Sequence, residues 1–72
     1  MTYGDVNCDG KITVSDAVLL ARVIAEDPDA KITDQGLLNA DCVLDGVRKA
    51  DDTTRILQFV AGLIPQKTLG TK

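Results

Sequence analysis

Histidine is absent from this chain. That removes imidazole metal sites, Ser-His and Cys-His nucleophile pairs, and imidazole acid–base work. Two cysteines permit one disulfide at most and cannot by themselves make a thiolate zinc site. No apolar run approaches the roughly 18 residues of a spanning helix. No signal peptide is legible, and Met1 is expected to be an added start residue. Positive charge is in deficit: the formal net charge is −3, which argues against nucleic acid or an anionic membrane as partner. Glutamate is nearly missing too. Ten of the eleven acidic residues are Asp, and Glu26 is the exception. Glu is the better helix former, whereas Asp suits turns, N-caps and compact oxygen-ligand loops.

What is present is 72 residues, one small domain or part of one. A domain of this size buries only about 60% of its unfolded surface, so it needs a metal, a disulfide or a partner to stabilise it. The chain reads as all-α. A short lead, residues 1–4, precedes an Asp/Asn/Gly loop at 5–16 and a helix from 15 to about 26, which Asp27-Pro28 should end. Thr33 is placed to cap a short second helix at about 34–39. A second loop at 41–52 leads into a third helix from about 52 to 63. Pro65 should stop that helix and leave a frayed polar tail from 66. The expected organisation is one module: repeat one at about 4–26, linker and short helix at 27–39, repeat two at 40–65, tail at 66–72.

An internal repeat supports that division. A shift of 36 places superposes Asp5 on Asp41, Asp9 on Asp45, Gly10 on Gly46, Asp16 on Asp52 and Ala25 on Ala61. Leu20 falls on Ile56, Val23 on Phe59 and Ile24 on Val60.

The first loop has oxygen ligands at positions 1, 3, 5 and 12 and Gly at position 6: Asp5, Asn7, Asp9, Asp16 and Gly10. This is the EF-hand spacing with Asp in place of the last Glu. Alternate side chains converge on one side of the turn, and Gly10 allows the bend. The Lys11 carbonyl supplies position 7, Thr13 helps directly or through water, and Asp16 clamps the ion from the first helical turn. Hard oxygen donors in a flexible loop select Ca²⁺ over Zn²⁺. The second loop keeps Asp41, Asp45, the Val47 carbonyl and Asp52. It departs at Val43, which offers no ligand, at Arg48, which stands where Ile12 stands, and at Lys49, which brings a positive charge. A second Ca²⁺ site weaker than the first is expected there. Neither unit shows an entering helix, which sets the chain apart from a calcium sensor.

The run from Asp5 to Ile24, its linker and its second copy resemble a dockerin domain of type I-like pattern over residues 3–65. The resemblance implies a non-catalytic, calcium-dependent module that binds a cohesin and anchors a parent enzyme or scaffold in an extracellular cellulosome. It implies that Val14, Ser15, Val18, Leu19 and Arg22 set partner choice in the first copy, with Ala50, Asp51, Thr54, Arg55 and Gln58 at the matching places in the second. It also implies a clasp between Tyr3 and Pro65. The alternative is a small EF-hand-like calcium buffer or sensor.

Helical periodicity bears on the binding face separately. At about 100° per residue, Ala17, Leu20, Ala21 and Ile24 share one face, expected to be core. Ser15, Val18, Leu19, Arg22 and Glu26 occupy the other, with more large apolar surface than one buried stripe requires. In the third helix Ile56, Leu57, Val60 and Ile64 should be core, flanked by Phe59 and Leu63, and the outer face is polar. A single preferred docking orientation follows, through the first helix, with Val18 and Leu19 at its centre and Arg55 and Gln58 secondary. Cys8 and Cys42 sit at non-equivalent loop positions, and free buried thiols are expected over a disulfide.

Overall fold

The computed structural model describes every residue except Met1, Asp45 and Lys72. Three helices follow in order: α1, Val14–Ile24; α2, Asp34–Ala40; α3, Ala50–Val60. A single 3₁₀ turn, Gln66–Thr68, comes last. Among the described residues there is no strand.

Both long helices start and stop by the same devices. Each begins after an extended residue, Thr13 or Lys49. In each, an Asp at the third helical position accepts that residue's backbone N–H: Asp16 from Thr13 at 2.7 Å, Asp52 from Lys49 at 2.9 Å. An acceptor there satisfies an orphan N–H and complements the helix dipole. The C-termini close as Schellman motifs. Glu26 and Gly62 take left-handed backbone, φ 61° and 78°. Glu26 donates to Val23 O and Asp27 to Arg22 O, both at 3.0 Å; Gly62 donates to Phe59 O and Leu63 to Gln58 O, both at 2.9 Å. These turns end α1 at 24 and α3 at 60, before either proline. The expected ends at 26 and 63 were therefore too late, and Glu26 lies outside its helix.

The short α2 is capped by Thr33, whose Oγ1 accepts from Gly36 N–H at 3.0 Å. It runs directly into the second loop, with Asp41 as its C-cap. The second repeat therefore has an entering helix, contrary to the expectation of a bare loop and exit helix. Gly36 lies so close to the first loop that a Cβ there would overlap the Val6 carbonyl oxygen.

The core is Val6, Ala17, Leu20, Ala40, Cys42, Ile56 and Leu69, flanked by half-buried Tyr3, Ile12, Leu19, Ile24, Ile32, Phe59 and Ile64. Leu20 and Ile56, equivalent under the repeat, are fully enclosed where α1 packs on α3. Four expected core residues are instead exposed: Ala21, Leu57, Val60 and Leu63, the last at 74%. The cause is that Asp16 and Asp52 themselves turn inward and are fully buried. That rotates the buried arc of each helix toward its first-turn carboxylate. Leu19 correspondingly moves inward, half-buried against the core.

Residues 66–71 fold back onto the body where a frayed polar tail was expected. Leu69 is buried. Gly70 N–H donates to Cys42 O at 2.8 Å. Arg55 Nη1 donates to the carbonyls of Cys42 and Thr68, each at 3.3 Å, and to that of Thr71. The Tyr3 ring covers Gly70 so closely that a Cβ on Gly70 would overlap it. The ends do meet, with Gly70 against the ring, while Pro65 is exposed. Both cysteines are free as expected, but only Cys42 is buried; Cys8, in the first loop, is exposed.

Candidate metal centre and docking face

The first loop folds around its own carboxylates. Asp5 accepts from Asp9 N–H through Oδ1 at 3.1 Å and from Gly10 N–H through Oδ2 at 3.0 Å. Asn7 Oδ1 lies 3.3 Å from the same Asp9 nitrogen, and Asp9 Oδ1 accepts from Lys11 N–H at 2.9 Å. Asp16 reaches back across the loop, Oδ1 to Asn7 N–H at 3.2 Å and Oδ2 to Thr13 N–H. Two residues with left-handed backbone make the turn, Gly10 at φ 86° and, unforeseen from its residue type, Cys8 at φ 59°. Lys11 is exposed on the loop and Thr13 is the N-cap of α1.

The result brings carboxylate oxygens of Asp5, Asp9 and Asp16 within 4.8 Å of one another. Asp5 and Asp16 are buried and Asp9 is exposed. Like charges gathered this closely repel one another. A divalent cation converts that repulsion to attraction. The donors are hard oxygens, with neither imidazole nor thiolate among them, so the set fits Ca²⁺.

The second loop copies the frame and only part of the donor set. Asp41 Oδ2 accepts from Gly46 N–H at 2.9 Å. Asp52 accepts from Val43 N–H through Oδ1 at 3.0 Å and from Lys49 N–H through Oδ2. Leu44 and Gly46 repeat the left-handed pair, φ 54° and 78°. Val43 carries no oxygen where Asn7 has one, and Val47 is exposed. Asp45 lies outside the described residues.

On the outer face of α1, Val14 and Val18 are each 52% exposed, and Ala21 and Ala25 continue the stripe at helical spacing. Ser15 and Arg22 border it, both exposed. Arg22 Nε donates to Asp27 Oδ2 at 2.8 Å. That bond, helped by the Asp29 N–H, holds the Asp27 carboxyl below its usual range. The equivalent stripe on α3 is Ala50, Thr54, Leu57 and Ala61, all exposed, with Gln58 beside it. It is less polar than expected, because Leu57 stands where Ala21 does. Arg55 is absent from it, its Nη1 being turned inward. Periodicity alone missed Ala21, Ala25 and Leu57; treating the first-turn Asp residues as core-facing finds all three.

The family model described as dockerin type I domain matches residues 3–61. Two solved complexes from Acetivibrio cellulolyticus contain a chain similar to this one. Each pairs the third cohesin ScaC with the ScaB dockerin, displaying a type I interaction, with a mutation in the dockerin's C-terminal helix in one and its N-terminal helix in the other. For the first, identity is 29%, coverage 90% of this chain and 89% of that one, and the TM-score 0.82. For the second the values are 29%, 89%, 88% and 0.81. No curated protein matches the chain.

Proposed function

The chain belongs to the dockerin type I family, and we propose that it is a docking module that seats the outer face of α1 on a cohesin and so anchors its parent enzyme or scaffold in a cellulosome outside the cell. Dockerins are non-catalytic, calcium-binding and cellulosomal. The observation that carries the reading for this chain is the exposed stripe of Val14, Val18, Ala21 and Ala25, edged by Ser15 and Arg22. Apolar residues at the centre of a polar rim are where protein interfaces concentrate their energy. The two solved neighbours are themselves dockerins held by a cohesin. The family match does not favour the alternative of a calcium buffer or sensor.

Calcium belongs to the first loop, held by Asp5, Asn7, Asp9, the Lys11 carbonyl, Thr13 and Asp16. When bound, it offsets the crowded carboxylates and fixes the turn that starts α1, and so presents Val14 and Ser15. The second loop, through Asp41, Asp45, the Val47 carbonyl and Asp52, makes a weaker site, one that fills only at calcium concentrations well above those at which the first loop folds the chain. Docking runs in one preferred orientation, because α1 offers Val14 and Val18 where α3 offers Ala50 and Thr54.

Isothermal calorimetry against a panel of type I cohesins tests this. A complex should form with Ca²⁺ and vanish with chelator. Val18→Asp, at an exposed site, should weaken binding by at least about 100-fold, consistent with a central contact, while Leu57→Asp leaves it within a few-fold. Equal losses from both variants would reject the single orientation, and no effect from Val18→Asp would reject the face.

A further inference from the structure

We propose that Arg48 and Arg55 hold the second loop in shape by hydrogen bonds to its backbone, doing there what calcium does in the first loop, so that calcium-dependent folding of this chain rests on the first loop alone. The inference rests on the calcium reading of that first loop.

The repeat isolates the two arginines. Under the 36-residue shift, Arg48 replaces Ile12 and Arg55 replaces Leu19. Ile12 and Leu19 are half-buried apolar side chains packed against the core. Their replacements are half-buried arginines whose guanidinium groups bond instead. Arg48 donates through Nε to Leu37 O of α2 at 2.8 Å and through Nη1 to Gly46 O at 3.2 Å. It thereby ties the loop's central glycine to the helix that enters it. Arg55 donates through Nη1 to Cys42 O at 3.3 Å and to the tail carbonyls of Thr68 and Thr71. Gly70 N–H reaches the same Cys42 carbonyl. The second loop is thus fastened at Cys42 and at Gly46, to α2 on one side and to α3 and the tail on the other.

Charge and donors agree with this. The second loop carries Asp41, Asp45, Asp51 and Asp52 against Arg48 and Lys49, with Arg55 adjoining. The first carries Asp5, Asp9 and Asp16 against Lys11 alone. Each twelve-residue loop sums to −2, so the difference lies in Arg55 beside the second and in the bonds that the two arginines make, and hydrogen bonds from charged donors are the stronger kind. The oxygen donors that a metal would need are fewer there, since Val43 and Lys49 stand where Asn7 and Thr13 stand. A guanidinium is always charged and presents several donors in a fixed fork, so it can tie two carbonyls at once.

The test is equilibrium unfolding of the whole chain in urea at free Ca²⁺ buffered from micromolar to sub-millimolar. A ligand that binds only the folded state stabilises it in proportion to the logarithm of its concentration, with a slope that counts the ions released. The wild type should show a slope of one ion per chain. Arg48→Met and Arg55→Met should each lower stability by the same amount at every Ca²⁺ concentration, leaving the slope at one. Arg48→Lys should behave as Arg48→Met, because the fork is lost. A wild-type slope of two ions overturns the proposal without any variant having to fold. So do methionine variants as stable as the wild type. A slope of zero removes the calcium reading of the first loop, and this proposal falls with it. Cohesin recognition is not read in any arm, so failure here is distinct from failure of the docking face.

Discussion

Cys42 shows how much a single position can be shaped by its surroundings. Its thiol is enclosed by the core and its pKa is pushed up from 9.0 to about 12, chiefly by burial and secondarily by the Asp52 charge, with Arg55 pulling the other way. A raised pKa means that the folded state resists losing the proton. The associated stability is fully present below about pH 9 and is lost as pH rises from there toward 12. Urea unfolding at pH 7, 9 and 10.5 should show a steeper alkaline loss in the wild type than in Cys42→Ala, the difference cancelling the other alkaline titrations. Cys8, exposed in the first loop, should react with a thiol reagent at pH 8 while Cys42 stays protected until the chain unfolds. At this scale the first loop was largely legible in the sequence. Asp5, Asp9 and Asp16 were expected together from spacing and are together. The left-handed turns at Cys8 and Leu44 were not legible, because neither residue type favours that backbone.

Among the elements, the two Schellman closures are one design made with unequal residues. Gly62 takes a left-handed backbone at no steric cost, and Glu26 takes it against the clash of its own Cβ. Glu26→Gly should therefore raise stability by about 1 kcal/mol, read as a higher urea midpoint with an unchanged slope. Glu26 is exposed, so no packing is lost. The existence and order of the three helices could be read from periodicity and turn residues, but their ends could not. Prolines 28 and 65 were the visible stops, yet the chain closes each helix several residues earlier, with bonds that satisfy the last carbonyls. The buried faces were misjudged for a related reason. Asp16 and Asp52 look like surface residues by type, but each is turned inward by two backbone donors in its own loop. Once their direction is known, the outward stripe of α1 follows.

For the molecule as a whole, the segment after Pro65 is the largest departure from sequence expectation. It is polar apart from Leu69, and nothing in its composition says that this one leucine reaches the core. Removing residues 66–72 should cost about 2 to 4 kcal/mol, from Leu69 burial and the carbonyls that Arg55 would lose, measured as a drop in thermal midpoint at saturating Ca²⁺. If the tail were mere fringe, truncation would leave the midpoint where it was.

Tyr3 lying on Gly70 means that the two ends of the folded body lie side by side. A module with adjoining ends can be spliced into a surface turn of a carrier without prying that carrier apart, and joining its ends with a few residues while opening it elsewhere should preserve the whole.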